Sequence, residues 1–316
     1  MKQLINDITA QLLASYPEDE ARSMAWWIVE EETGLSRTQL QIGCKGTTNF
    51  PKLQDFCDKN DLCLHKNLFI AQKDCSSQDN ANVASGEDVN QAESEGTKIL
   101  QEIIDRLMHF EPIQYIFGHT FWCGLDLLVT PATLIPRPET AELVEKISNF
   151  KSQISNCRVL DIGTGSGCIV IALKKAHPEW QVTGIDISPE AIEVAKENGK
   201  RNNVEVNFQV ADIFDFNGDY DIVASNPPYI RECEKSSMRS NVLDYEPASA
   251  LFVPDTDPLR FYRRIAQLKL GKYLFFEINE HFSDEIEALL RDEGYKNIRI
   301  HRDIYSKPRI AEAALL

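Results

Sequence analysis

The tetrad Asn226-Pro227-Pro228-Tyr229 brings together residue types that could hold a planar NH2 group. Proline has no backbone N–H to donate, but its carbonyl still accepts. The Asn226 side-chain oxygen and the Pro227 carbonyl are therefore two adjacent acceptors, matched to the two hydrogens of an amide or amino nitrogen. Pro228 belongs to the same substrate-holding stretch, and Tyr229 can cover the flat face of the bound group. The chemistry this suits is methyl transfer onto that nitrogen. The preceding run, Tyr220 to Ser225, reads as a short buried strand, which would place the tetrad at the strand's carboxyl edge.

A second constellation lies upstream. The run Val159-Leu160-Asp161-Ile162 is followed by Gly163-Thr164-Gly165-Ser166-Gly167, with a helical pattern starting at Cys168. Alternate glycines let the backbone approach a ligand at a helix N-terminus. The next strand ends in Asp186, placed to bind a ribose diol. A third ends in Asp212, beside Ile213, where a carboxylate can accept from an adenine amino group. Three successive strand tips thus describe an adenosine pocket. A dinucleotide turn commonly runs G-x-G-x-x-G. Here Cys168 occupies the place of its third glycine, and the loop is paired with an NH2-holding tetrad, so the reading is S-adenosylmethionine rather than NAD. Asp161 reads either as a buried acid bonded to the loop amides or as a group orienting the methionine amine.

The elements that must position these residues alternate. Strands are expected at 158–162, 181–186, 205–211, 220–225, 273–278, 298–301 and 310–314, with helices at 168–176, 189–199 and 282–291. This is a doubly wound α/β domain with a largely parallel sheet and a terminal antiparallel element. Three prolines stiffen Pro131 to Glu139, and a helix starting at Glu139 or Thr140 carries Leu143, Val144 and Ile147. Upstream, 112–135 reads as a linking β-hairpin with strands Ile116–Phe121 and Leu125–Val129 around Cys123-Gly124. Residues 1–111 form a small helical domain. Its helices are expected at 4–14, with a stripe of Leu4, Ile8, Leu12 and Leu13, and at 20–32, capped by Gly34. Trp26 and Trp27 read as helix packing. The stretch 74–97 is acidic and amide-rich and lacks Lys, Arg and aromatic residues, so it reads as a flexible polar insertion within a longer insertion, 47–97.

Composition narrows the class. The chain has 316 residues, is 43% hydrophobic and carries a net charge of −16. That charge argues against a long duplex nucleic acid as the partner, although Arg231, Lys235, Arg239, Arg260, Arg263 and Arg264 could form a local basic face. No apolar run reaches transmembrane length, and Met1 to Ala10 does not resemble a secretion signal. The eight cysteines form no C-x-x-C pair, which suits reduced thiols in a cytosol. Cys44, Cys57, Cys63, Cys75 and His65 match no compact zinc spacing, and no metal is expected.

The run Pro112, Gln114, Tyr115, Ile116 and Gly118, then Phe121 through Thr130-Pro131-Ala132, Leu134-Ile135-Pro136-Arg137-Pro138-Glu139-Thr140, precedes the glycine loop and the tetrad. Tyr245-Glu246-Pro247 and Ala250-Leu251 follow. In this order the chain resembles the protein-(glutamine-N5) methyltransferases of peptide chain release factors. The resemblance implies a seven-stranded class I S-adenosylmethionine-dependent methyltransferase domain at 136–316. It also implies a monomeric, cytoplasmic enzyme that needs no nucleic acid and methylates the glutamine of a Gly-Gly-Gln loop. By position, Gly163, Gly165 and Gly167 would cradle the methionine part of the cofactor, Asp186 its ribose, and Asp212 with Ile213 its adenine. Asn226 and Pro227 would hold the substrate amide, Tyr229 would shape its slot, and the helical domain would grip the release factor. The family often has an aromatic residue at the Ile213 position, and typical members are shorter between Gly34 and Pro112. The competing readings are an adenine-N6 methyltransferase acting on DNA or RNA, with Tyr229 stacking on a flipped base, and a nonenzymatic binding module.

Overall fold

A computed structural model describes residues 2–43, 86–150 and 156–315. The chain divides into two compact units, Met1–Ile116 and Phe117–Leu316. The first contains α1 (Lys2–Leu12), α2 (Glu18–Thr33), α3 (Arg37–Gly43) and α4 (Gly86–Met108), and the division falls within α5 (Ile113–Phe117). Apolar residues three and four apart turn one face of each longer helix inward. Ile5, Ile8 and Leu12 are buried on α1, Ala21, Ala25, Ile28 and Val29 on α2, and Ile103, Ile104 and Leu107 on α4. The stripe of α1 runs through Ile5 rather than Leu4, and Leu13, beyond the helix end, is exposed. Gly34 closes α2 in the left-handed region at φ 64°, its N–H donating to the Glu30 carbonyl. Trp26 lies under the Arg37 guanidinium, and the Trp27 indole donates to Glu31 at 2.9 Å.

Because α4 begins at Gly86, the last part of the 74–97 stretch is helical. That segment carries Glu87, Gln91, Ala92, Glu93 and Glu95, good helix formers that lead into the amphipathic run at Ile99. The rest of the stretch lies outside the described residues. So do the possible helix at 51–57, the apolar run at 68–71, and Cys44, Cys57, Cys63, Cys75 and His65.

The second unit opens with a hairpin, β1 (His119–Trp122) and β2 (Leu125–Leu128), joined by Cys123 and Gly124, both at positive φ. Two consecutive left-handed residues are what a tight two-residue hairpin turn demands. Ile116 and Phe117 were expected in the first strand. They instead complete α5, and Gly118 at φ 73° turns the chain into β1. Then follow α6 (Thr140–Asn149), β3 (Arg158–Ile162), α7 (Cys168–Ala176), β4 (Gln181–Asp186), α8 (Pro189–Arg201), β5 (Asn207–Val210), β6 (Tyr220–Ser225), β7 (Ile230–Arg231) and β8 (Phe252–Val253). The chain closes with α9 (Arg260–Leu268), β9 (Gly271–Glu277), α10 (Ser283–Asp292), β10 (Lys296–Arg302) and β11 (Pro308–Ala314).

The main sheet has seven strands in the order β10-β11-β9-β6-β3-β4-β5, parallel except for β11, which is antiparallel to both β9 and β10. Its central strands are buried on both faces, as covered parallel sheets require. Val159, Val182 and Ile222 pack with Leu143, Ile147 and Ile171 on one side. Leu160, Val223, Leu274 and Phe276 pack with Tyr262, Ile286 and Leu290 on the other. The order reverses between β3 and β6, so the two chemistry-bearing loops leave adjacent strand ends. The Ser225 hydroxyl donates to the Ile162 carbonyl at 2.7 Å across that switch point. Helix α9 was not anticipated. Its arginines obscure the inward stripe of Tyr262, Ile265 and Ala266.

Candidate active site

A cavity of about 370 Å³ opens at the carboxyl edge of the sheet. Its wall includes Gly163 to Ser166, Asp186, Asp212 to Phe214, Asn226 to Pro228, and Thr133, Arg137 and Thr140 from the proline-rich segment and the start of α6. The sequence-predicted loops thus meet on one surface. Asp161, Gly167 and Tyr229 are placed otherwise.

The glycine loop is shaped by backbone conformation. Gly163, Gly165 and Gly167 have φ of 71°, 54° and 80°, a region costly for residues with a Cβ. At Gly163 and Gly165 a Cβ would meet nothing, so the space above the loop is open to a ligand. At Gly167 it would lie 3.1 Å from Ile171 and Phe208, so this glycine also permits the close helix packing expected of a later one. Asp186 caps the turn: its carboxylate accepts from the Gly165 N–H at 2.9 Å and the Ser188 N–H at 3.0 Å. A carboxylate has about four acceptor sites, so capacity remains for ribose hydroxyls.

Asp161 is fully buried behind the loop. One oxygen accepts from the Thr164 hydroxyl at 2.7 Å, and the other has no partner among the described residues. Burial, with the nearby Asp186 charge, pushes its pKa up to about 7. Thr164 and Ser166 are both buried, and Thr164 bonds the acid directly. Asn198, on the inward face of α8, is also fully buried. Its Nδ2 donates to the Ser166 and Leu128 carbonyls, each at 2.9 Å, while its Oδ1 accepts from the Leu128 N–H at 2.6 Å. The hairpin and the glycine loop are therefore held by one side chain.

At the Asp212 end of the cavity, Asp212 accepts from the Phe214 N–H at 2.9 Å, and Arg264 of α9 donates to the Ile213 carbonyl at 3.4 Å and to that of Phe214. Ile213 is buried and faces both core and cavity. Phe214 follows it onto the cavity wall, with the Arg260 guanidinium 5.4 Å from its ring centre. The aromatic residue missing at position 213 is thus present one residue later.

The tetrad is held from below. Asn226 Nδ2 donates to Thr140 Oγ1 at 3.3 Å, and Thr140 Oγ1 donates to Glu277 Oε2 at 2.8 Å. The Tyr229 hydroxyl donates to Glu277 Oε1 at 3.3 Å. Among the described residues neither Asn226 Oδ1 nor the Pro227 carbonyl accepts a hydrogen bond. Tyr229 lines a neighbouring cavity of about 550 Å³ with Asn279 and Arg309. Burial first, then the Glu277 charge, raises its hydroxyl pKa well above the ordinary tyrosine value, so it remains a neutral donor. The Glu277 carboxyl is also raised, chiefly by burial.

The proline-rich wall and the downstream Tyr245-Glu246-Pro247 segment meet through one pair. Arg137 lies 2.5 Å from the buried Glu246 carboxylate, which also accepts from the Ile135 N–H at 3.3 Å. The Trp122 indole donates to the Arg137 carbonyl at 2.9 Å. Most of the basic residues that could have formed a nucleic-acid face have local partners. Arg231 pairs with Glu234, Lys235 with Glu232 and Arg263 with Asp257, while Arg260 and Arg264 lie over Phe214. Among the described residues no cluster of His, Cys, Asp and Glu has metal-site geometry, and no helix is long and apolar enough to cross a membrane.

The sequence alone does not assign Phe214, Asn198, Thr140 and Glu277 to the site. An aromatic beside Ile213 and an acid ending the apolar strand 273–278 were visible signals for Phe214 and Glu277. Thr140 was read as a helix start, and nothing local marked Asn198.

A methyltransferase domain model matches residues 153–304. A release factor glutamine methyltransferase of Bacteroides thetaiotaomicron is 48% identical over 223 residues, covering 68% of this chain and 80% of the relative. One of Flavobacterium psychrophilum is 44% identical over 221 residues, covering 66% and 78%. One of Streptococcus pneumoniae is 40% identical over 223 residues, covering 68% and 79%. With the glycine loop and Asn226 to Pro228 on one cavity, and relatives this similar over most of their length, the chain belongs to the release factor glutamine methyltransferase family.

Proposed function

We propose that the chain transfers a methyl group from S-adenosyl-L-methionine to the side-chain amide nitrogen, N5, of the glutamine in the Gly-Gly-Gln loop of peptide chain release factors. The observation that carries this reading is the pair of uncommitted acceptors, Asn226 Oδ1 and the Pro227 carbonyl, sharing a cavity with the glycine loop. Family membership supports the substrate.

The residues present fit the cofactor. The space above Gly163 and Gly165 is open, one oxygen of Asp161, buried behind the loop, has no partner among the described residues, and Asp186 retains acceptor capacity. Gly163 to Gly167 would hold the methionine part, Asp186 the ribose, and Asp212, Ile213 and Phe214 the adenine. When bound, S-adenosylmethionine supplies a methyl group activated by its sulfonium.

The protein's task is then alignment. A carboxamide nitrogen is a weak nucleophile because its lone pair is delocalised into the carbonyl. Asn226 and Pro227 accept its two N–H bonds and direct the lone pair across the cavity. Both oxygens also stabilise the positive charge that grows on nitrogen. As the nitrogen gains the methyl group, the methyl–sulfur bond would break with its electron pair left on sulfur, and the nitrogen sheds one proton to solvent; its acidity rises as the new bond forms, so no strong base is required beforehand.

The acidic chain and its locally paired bases favour a protein substrate over DNA or RNA. The helical N-terminal unit would grip the release factor, and the enzyme would act as a cytoplasmic monomer. The test is incubation with labelled S-adenosylmethionine and purified release factor, beside DNA and RNA. Label on the release factor alone is expected; label on nucleic acid alone would overturn the reading.

A further inference from the structure

We propose that Thr140 and Glu277 are positioning residues that set the polarity of the Asn226 amide, turning its oxygen rather than its NH2 toward the substrate. This rests on Asn226 being an acceptor of the substrate amide.

The argument is a count of hydrogens. A carboxamide's oxygen and NH2 ends are nearly the same size, so packing alone does not decide which faces the cavity. The decision falls to whatever partner meets one end. That partner is Thr140 Oγ1, 3.3 Å from Asn226 Nδ2. A hydroxyl has one hydrogen and two lone pairs, so it could serve either end of an amide. Here its hydrogen is committed elsewhere, because Thr140 Oγ1 lies 2.8 Å from Glu277 Oε2. Both Glu277 oxygens accept here, from Thr140 and from Tyr229, and these donors with Arg309 favour the ionised form, which only accepts, against the burial that opposes it. Thr140 must therefore donate to Glu277 and receive from Asn226, and only the NH2 end can give it a hydrogen. With that end engaged, the oxygen is left for the substrate. A flipped Asn226 would oppose an NH2 to the substrate's NH2, donor against donor.

The surroundings hold this arrangement. Thr140 is 3% exposed and Glu277 2%, so water offers little alternative to either. Glu277 ends β9, beside the strand that carries Asn226, with Ser225 opposite Phe276. Its other oxygen accepts from Tyr229, so both polar members of the tetrad's side chains depend on one carboxylate. Arg309, close enough to favour the charged form, offsets part of the burial that opposes it, while Glu139 acts in the opposite sense.

The test is a cycle of variants with purified release factor as substrate, measuring turnover, KM and S-adenosylmethionine affinity. Thr140→Val removes the hydroxyl at nearly constant volume, and Thr140→Ala does so should the valine variant not fold. Thr140→Ser keeps the hydroxyl. The expected result is a fall of about 10-fold or more in kcat for Thr140→Val, with cofactor affinity little changed, and substantial recovery in Thr140→Ser. In an Asn226→Ala background, Thr140→Val should cause little further loss, since the group it orients is gone. Near-parental kcat in both hydroxyl-free variants would overturn the proposal, as would independent, multiplying losses in the double variant. Near-parental kcat in Asn226→Ala would instead overturn the acceptor role on which the proposal rests.

Discussion

Asn198 and Leu128 exchange two hydrogen bonds, at 2.6 and 2.9 Å, from a side chain with no solvent exposure. Asn198 thereby continues the hairpin's ladder onto α8 and, through its third bond, fixes the Ser166 carbonyl. Replacing it with leucine leaves three backbone groups seeking partners. Asn198→Leu is expected to cost about 2–4 kcal/mol in unfolding free energy and to weaken cofactor binding. Chemical denaturation and calorimetric titration measure the two effects; unchanged affinity would separate the hairpin from the loop.

Gly184 is required for a different reason. A Cβ there would lie 2.8 Å from Thr164 Oγ1, the hydroxyl that bonds Asp161. Gly184→Ala is therefore expected to displace Thr164 and reduce cofactor affinity by about 10-fold, equivalent to about 1.4 kcal/mol. Titration of the folded variant checks this, and parental affinity would show that the loop absorbs the methyl group.

The Arg137–Glu246 pair joins two segments far apart in sequence. Glu246 is buried, while the Arg137 side chain is about one-third exposed and so partly screened by water. Arg137→Met is expected to destabilise the catalytic unit by about 1–3 kcal/mol, because a buried carboxylate loses its cation. A denaturation midpoint unchanged from the parent would contradict this.

Asp161 gives stability a defined pH dependence. Its folded pKa, about 7, exceeds its ordinary value of 3.8. Between these values the folded chain holds a proton that the unfolded chain has released, so this group's contribution becomes less favourable as pH rises. The burial cost is absent below about 3.8 and complete above about 7. In cofactor-free protein, the stability of Asp161→Asn relative to the parent should therefore increase from pH 4 to 7 and then level off. A difference that shrinks with pH would contradict the burial argument.

The sheet was legible because strands such as Arg158–Ile162 and Gln181–Asp186 are compact apolar runs punctuated by glycine or by a strand-end acid. The glycine loop, Asp186, Asp212, Ile213 and Asn226 to Pro228, which line the cavity, are legible for the same reason: the loops that carry them are short and follow those strands. Helix α9 was hidden because its inward stripe is interrupted by arginines that serve the Phe214 segment. Thr140, Glu277 and Asn198 are not legible as site residues because each acts through a partner more than thirty residues away. Tyr229 reads from sequence as a cover over the NH2 slot; in the structure its hydroxyl reaches Glu277 and the residue lines the neighbouring cavity.

The central claim is that Asn226 accepts a hydrogen bond from the nitrogen that receives the methyl group. It is tested most directly by fragmentation mass analysis of release factor after incubation with S-adenosylmethionine and either parental enzyme or Asn226→Ala. The parent should place one methyl group on the side-chain nitrogen of the Gly-Gly-Gln glutamine. The variant should retain cofactor binding but lose turnover by about 30- to 1,000-fold. Methylation at another residue, or near-parental turnover by Asn226→Ala, would contradict the account.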